Sequence, residues 1–352
     1  MSYLERMKQR AQDLRGRPGV KILAIETSCD ETAASVVEGG RKVLSNCVYS
    51  QIDLHTLYGG VVPEIASRAH VEKIGPVIKA ALAESRHGFD DIDALAVTFG
   101  PGLVGALLVG VSYAKGLALA LDKPLIAVNH IEGHICANYL SSPKLEPPYL
   151  CLVVSGGHSH LIMVEEGDGY RLIGCTQDDA AGEAFDKAAR VLKLPYPGGP
   201  KLDVQAELGD ASLYVLPRPH TDGRYDYSFS GLKTAFINLT HKMEQRGEEL
   251  PVQDLAAAFR KAVVDQLTDK CMLAAAELGQ RRIALAGGVS ANSLLRRQML
   301  ASCDQQGIEL FMPELKYTGD NAAMIGAAAF RRLSQGQVSG LGLNANPSLR
   351  LV

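Results

Sequence analysis

The chain has 352 residues, 47% of them hydrophobic, which is enough to bury a sizeable core divided over two domains or two halves. With 36 basic against 39 acidic residues the net charge is −3, which excludes a protein coated in basic residues and leaves only local pairs such as Arg281-Arg282, Arg296-Arg297 and Arg331-Arg332. Seven scattered cysteines with no Cys-x-x-Cys exclude a disulfide framework and point to reduced thiols in a cytoplasmic protein.

Residues 1–20 form a basic extension carrying Arg6, Lys8, Arg10, Arg15 and Arg17. They lack the apolar stretch of a signal peptide, and Leu4, Met7, Ala11 and Leu14 are spaced for one face of an amphipathic helix. Lys21 to Val37 reads as strand, turn, strand: Ile22 to Ile25, the polar turn Glu26-Thr27-Ser28-Cys29-Asp30-Glu31-Thr32, then Ala33 to Val37. A strand at Ala94 to Thr98 enters the turn Gly100-Pro101-Gly102. The apolar run from there to Leu121 holds three glycines and Lys115, which favours a buried core helix over a membrane span. Pro124 to Val128 is a further strand, followed by Asn129-His130-Ile131-Glu132-Gly133-His134.

The plan then repeats. Tyr149 to Val154 is a strand, Ser155-Gly156-Gly157-His158 a turn and His160 to Val164 the returning strand. Ile283 to Ala286 leads into Gly287-Gly288 and a helix beginning near Ser293. Glu309 to Met312 is followed by Gly319-Asp320-Asn321 and a helix over Ala322 to Arg332. The repeat divides the chain into a first lobe over 21–148 and a second over 149–352, whose last segment has the option of packing back on the first.

On a helix, His130 and His134 lie one turn apart, with Cβ atoms about 6 Å from each other, so both rings can reach one ion. Two histidines do not complete a site. If two α/β halves face each other across a cleft, with ligands at the carboxyl ends of strands, Asp320 comes from the opposite wall as the third ligand. Two histidines and a carboxylate with open positions suit Zn²⁺ or Fe²⁺ bound to a substrate. Asp320 reads equally well as the N-cap of its helix.

Ser155-Gly156-Gly157 offers backbone N–H groups to a phosphate without Cβ obstruction. Gly287 to Asn292 has the small-residue build needed where a nucleoside lies against a helix start. Asp186 and Asp203 flank the glycine-rich Pro197-Gly198-Gly199-Pro200 and suit ribose hydroxyls, or else stabilise helix starts. Asp30 and Glu31, adjacent acids beside a phosphate-binding turn, make sense where a metal, water or proton transfer is involved.

Several long motifs together carry a resemblance covering Lys21 to Leu351: Glu26 to Thr32, Tyr58-Gly59-Gly60-Val61-Val62-Pro63-Glu64, Gly100-Pro101-Gly102, Lys115-Gly116 through His134, Val154 to His158, and Phe229-Ser230-Gly231-Leu232-Lys233. The chain resembles the TsaD family, universal proteins once called glycoprotease or O-sialoglycoprotein endopeptidase. The resemblance implies an α/β protein with a duplicated actin-like, sugar-kinase-like ATPase fold, its two lobes around a nucleotide cleft. It also implies transfer of the threonylcarbamoyl group from threonylcarbamoyl-AMP to N6 of the adenosine 3′ of the anticodon in ANN-decoding tRNAs. By the same resemblance, His130, His134 and Asp320 hold one Fe²⁺ or Zn²⁺ per subunit. Val153, Val154, Ser155, Gly156, Gly157, Asp186, Gly199, Asp203 and Asn292 surround the adenylate or ATP, and Asp30 and Glu31 lie near the reacting centre. Implied partners are tRNA, a TsaB-like paralogue, a TsaE-like ATPase and a TsaC-type synthase that supplies the adenylate, with no membrane involved. The extension before Lys21 departs from the family, whose members usually start close to the first strand; it has three options, to touch tRNA, to pack on a lobe or to stay disordered.

Two rival functions remain on the sequence. A metal-dependent protease of the His-Glu-x-x-His type needs glutamate beside the first histidine, whereas Ile131 stands there and Glu132 is turned about 100° away on a helix. A non-catalytic nucleotide-binding scaffold would be expected to have lost its ligands, whereas this chain keeps all three.

Overall fold

The computed structural model describes residues 2–167 and 169–352; Met1, the first residue of the expected N-terminal extension, lies outside them. The chain divides into two compact units, one running up to Leu145 and taking in Pro313–Leu351, the other formed by Glu146–Met312.

The first unit contains α1 (Tyr3–Leu14), β1 (Lys21–Glu26), β2 (Glu31–Glu38), β3 (Lys42–Ser50), α2 (Ile52–Thr56), α3 (Pro63–Ser85), β4 (Ala94–Gly100), α4 (Val104–Leu121), β5 (Leu125–Asn129) and α5 (His130–Ser141). Its sheet runs in the order β3-β2-β1-β4-β5, with β2 antiparallel to β1 and β3, and β4 parallel to β1 and β5. The central strands β1 and β4 are apolar and buried along nearly their whole length, as a strand covered on both faces must be. β3 lies at the edge and is half-exposed.

The second unit contains β6 (Tyr149–Val154), β7 (Ser159–Val164), β8 (Tyr170–Cys175), α6 (Ala181–Val191), α7 (Gly198–Ala206), α8 (Ser230–Gln245), α9 (Val252–Glu277), β9 (Arg282–Ala286), α10 (Ser293–Gln306) and β10 (Glu309–Phe311). Its sheet, β10-β9-β6-β7-β8, repeats the first: three antiparallel strands, then two added in parallel. Each unit has its own apolar core.

The last helix, α11 (Ala322–Ser334), differs from the expectation that the second half supplies Asp320 from an opposite wall. It belongs to the first unit, where it packs on α5, β1 and β2. Its buried face is built from Ala322, Ala323, Gly326, Ala327 and Ala328, so its backbone can approach the sheet closely. A Cβ on Gly326 would stand 2.6 Å from a methyl of Val37. The chain beyond α11 stays on this unit: Ser339 N–H donates to the Leu125 carbonyl and Asn346 N–H to that of Phe99, both at 2.7 Å.

α4 packs as a core helix, as expected, with one face buried and the other exposed. Ala106, Leu107, Gly110, Val111, Ala114 and Ala118 face inward, while Val104, Leu108 and Leu119 are exposed. By length and composition alone α4 is apolar enough to cross a membrane; here it packs against β4 and α3.

Of the three options for the N-terminal extension, the structure shows packing on the first unit. Met7 and Ala11 are fully buried, the Tyr3 hydroxyl donates to the Lys123 carbonyl at 2.7 Å, and Arg6 and Arg10 pair with Asp122. The ion pairs are half-exposed and contribute little. Met7 carries most of the docking, and Met7→Ala should cost about 2–5 kcal/mol of it. Limited trypsin digestion should then cut first at Arg10, Arg15 and Arg17, with the remaining core intact. An unchanged digestion rate would show that α1 is held by something else.

Candidate functional site

Two clusters of the expected residues form, one in each unit. In the first, β5 ends at Asn129, whose side-chain oxygen accepts from the N–H groups of Ile131 and Glu132, so α5 starts at His130 itself. That cap fixes the phase of the helix and sends the His130 and His134 rings to one side, with centroids 4.6 Å apart. At the head of α11 the N-cap is Asn321, which accepts from Met324 N–H at 3.0 Å. Asp320 is therefore not the cap, and its Oδ1 lies 3.4 Å from His130 Nε2 and 3.2 Å from His134 Nε2.

This geometry fits a metal ion. Two ligands of a tetrahedral ion with bonds near 2.1 Å stand about 3.4 Å apart, and one ligand atom from each of the three residues lies within 4.8 Å of the others. Among the described residues neither ring nitrogen of the buried His134 makes a hydrogen bond, Nε2 having the Asp320 carboxylate beside it, a costly state for a polar group without a further partner. Three protein ligands leave positions for water or a substrate.

Two glycines make the cluster compact. Gly133 lies where α5 meets α11, and a Cβ there would come within 2.7 Å of Ile325 and 3.3 Å of Met324. Gly102, at φ +155°, lets its turn lie against Ser28, whose carbonyl accepts from Leu103 N–H at 2.8 Å.

The turn before β2 brings the acids close. Asp30 is buried, and Glu31 begins β2 with Ser50 donating to its carboxylate. Burial, then the charges of Asp320 and Asp30, push the Glu31 carboxyl up to about 10. Under the turn, the buried His70 of α3 bonds Thr32 Oγ1 at 2.8 Å and the Cys29 carbonyl at 2.9 Å. Burial pulls the His130 imidazole down, but Asp320 and Glu26 more than offset this and raise it to about 9.

In the second unit, Val153 and Val154 end β6, and the turn after them leaves Gly156 and Gly157 exposed, with open space where a Cβ would be. Gly182 of α6 packs on Ser155 and Gly156, and Gly287, at φ +85°, on the Val154 backbone, so the turn, α6 and the start of α10 converge. Asp186 accepts from Gly199 N–H at 2.9 Å. Asn292 caps α10 through Leu295 N–H and donates to Asp203 Oδ1 at 3.0 Å. Asp203 Oδ1 also accepts from Arg260 and Ser293 Oγ, while among the described residues Oδ2 accepts only from Ser293 N–H.

The model of the family described as "TsaD: tRNA N6-adenosine threonylcarbamoyltransferase" matches residues 42–327. A protein of Caldicellulosiruptor saccharolyticus named tRNA N6-adenosine threonylcarbamoyltransferase is 55% identical over 331 residues, covering 94% of this chain and 98% of the relative. One of the same name from Clostridium perfringens strain 13 is also 55% identical, with the same coverage. The chain belongs to the TsaD family. Among solved structures, full-length HypF in its phosphate- and nucleotide-bound form aligns with a TM-score of 0.57 at 14% identity, over 91% of this chain and 47% of HypF. Component A of the (R)-2-hydroxyglutaryl-CoA dehydratase of Acidaminococcus fermentans aligns at 0.51 and 14%, over 90% and 99%. The fold is thus the actin-like, sugar-kinase-like ATPase fold.

Within this family member the protease reading loses its base. Glu132 is buried and accepts from Arg332 at 2.7 Å, which occupies it as a tie between α5 and α11. The sequence reading missed the supporting residues Gly133, His70, Arg260 and Arg332. Only Gly133 left a signal, a glycine inside a helical stretch.

Gly133→Leu should force α5 and α11 apart, at a cost of about 1–3 kcal/mol. It should also weaken Zn²⁺ binding, read by competition with a chromophoric chelator. Unchanged affinity in a folded variant would show that the helix crossing does not set the ligand geometry.

Proposed function

We propose that the protein is a tRNA N6-adenosine threonylcarbamoyltransferase, moving the threonylcarbamoyl group from threonylcarbamoyl-AMP to N6 of the adenosine 3′ of the anticodon in ANN-decoding tRNAs. The observation carrying this reading is the pairing of near-complete 55% identity to enzymes of that name with a His130–His134–Asp320 cluster of metal-site dimensions. In the reaction the adenine amine attacks the carbamoyl carbon, the new C–N bond forms, the bond to the adenylate phosphate breaks, and AMP leaves with the former anhydride oxygen.

Each unit contributes a separate part. In the second, the N–H groups of Gly156 and Gly157 face the phosphate, and Ser155, whose N–H is given to the His158 carbonyl, offers its hydroxyl, while Asp186, Gly199, Asp203 and Asn292, with the β6 end at Val153 and Val154, hold the nucleoside. Asp203 Oδ2 is the better ribose acceptor, because Oδ1 already takes three donors. In the first, His130, His134 and Asp320 hold one Fe²⁺ or Zn²⁺, which when bound supplies Lewis-acid stabilisation of charge developing on the donor's oxygens. Asp30 takes the proton that N6 gives up, and Glu31 positions the amine.

The exposed apolar row Val104, Leu108 and Leu119 on α4, beside Val71 on α3, supports docking of a TsaB-like paralogue. A TsaC-type synthase supplies the adenylate, a TsaE-like ATPase completes the set, and the cytoplasm is where tRNA and these partners meet.

Reconstitution with threonine, bicarbonate, ATP, the partners and an ANN-decoding tRNA should give the modified nucleoside. Asp30→Asn should lower the rate by about 10²–10⁴-fold while leaving nucleotide binding intact. No product from a complete, active partner set would overturn the assignment; full activity in Asp30→Asn would remove only the role given to that residue. Leu108→Glu should abolish co-elution with the TsaB-like paralogue in gel filtration without changing bound metal, and persistent co-elution would place that interface elsewhere.

A further inference from the structure

Glu26, the last residue of β1, is a carboxylate with no exposure to solvent, directly after the apolar run Ile22-Leu23-Ala24-Ile25. Burying it unpaired would be prohibitive, so its contacts indicate what it is for. Oε1 accepts from Ser28 N–H at 2.5 Å, and Oε2 accepts from the Thr98 hydroxyl of β4 at 2.6 Å. The remaining contact of Oε2 is His130 Nδ1, at 3.1 Å.

We infer that Glu26 is a positioning residue for the metal centre, holding the His130 ring through an Nδ1–H hydrogen bond so that Nε2 is the nitrogen turned toward Asp320 and the ion. A carboxylate has no proton to give, so a 3.1 Å contact in a site closed to solvent requires Nδ1 to carry one. If Nδ1 were bare, two lone pairs would face each other with no water between them. Ser28 Oγ, 3.0 Å from the same nitrogen, shares that N–H as a second acceptor. Nε2, 3.4 Å from Asp320 Oδ1, is then the nitrogen that gives up its proton when an ion binds. A carboxylate behind a metal-bound imidazole raises ligand basicity and fixes ring orientation, and its loss typically weakens metal binding by about 10–100-fold. Thr98 and Ser28 N–H hold the carboxylate in turn, so strands β1 and β4 both set the ring.

This inference rests on the reading of His130, His134 and Asp320 as a metal site, and the test separates the two. Zn²⁺ affinity is measured by competition with a chromophoric chelator for wild type, His134→Ala, Glu26→Gln and Thr98→Val. Histidine ¹⁵N spectra of the Zn²⁺-loaded proteins report which nitrogen of His130 keeps its proton. Wild type should bind one Zn²⁺, His134→Ala should lose it, and Glu26→Gln should bind about 10–100-fold more weakly and lose the uniform Nδ1–H signature. Thr98→Val removes one donor to the carboxylate and leaves the chain's charge unchanged. It should weaken binding less than Glu26→Gln, and it decides the matter if Glu26→Gln does not fold. Absence of binding in wild type would sink the metal site itself. Wild-type binding with unchanged affinity and tautomer in the folded Glu26 variant, or in Thr98→Val alone if the Glu26 variant does not fold, would overturn the role of Glu26.

Discussion

The close crossing of α5 and α11 is the contact on which the first unit's site depends. His130 and His134 are local to α5, while Asp320 sits far away in sequence at the head of α11. Gly133 leaves room on α5 for the Ile325 and Met324 side chains of α11 and so lets the three reach ligand separation, while Gly326 brings α11 close on the sheet. Arg332, partly exposed, pairs with the buried Glu132 and ties the two helices further along, and removing the arginine would leave that carboxylate buried without its cation. Asn129 and Asn321 cap the two helices, so each ligand has its helix start fixed by a side chain next to it.

The second unit uses the same devices for a different end. Gly182 and Gly287 let the turn after β6 touch α6 and the start of α10, leaving its own glycines open. Arg260, buried on α9, donates to Asp203, Glu207, Ser293 Oγ and the Ala206 carbonyl, locking α7 to α10. A carboxylate held by that many donors is already oriented before any ligand arrives, which is how a binding site avoids ordering costs on association.

The duplicated strand pattern was legible because the central strands β1, β4, β6 and β9 are continuous apolar runs ending in glycine or polar turns. The edge strands β3 and β8 were not, since Lys42–Ser50 and Tyr170–Cys175 mix polar and apolar residues on half-exposed positions. The candidate ligands were visible in His130, His134 and Asp320, and the sequence left open that the last segment packs back on the first lobe, but it did not indicate that Asp320 would then join the histidines from the same unit. The expectation of opposite walls followed the repeat, whereas the small residues of α11 and the tail beyond it return that segment to the first sheet. The alternative of Asp320 as a cap was open in the sequence Gly319-Asp320-Asn321, where either acid or amide could fill the role; the backbone gives it to Asn321. Glu26 looked like part of a turn, because nothing local shows that a strand-end carboxylate faces a histidine 104 positions later.

The central claim is that one metal ion sits on α5 and the head of α11, within a single unit. An anomalous difference map collected at the iron or zinc edge from crystals of the metal-loaded protein tests it most directly. The account predicts one strong peak, about 2.0–2.2 Å from His130 Nε2, His134 Nε2 and an oxygen of Asp320. A peak at any other residues, or none at this cluster in protein that retains stoichiometric metal, would contradict it.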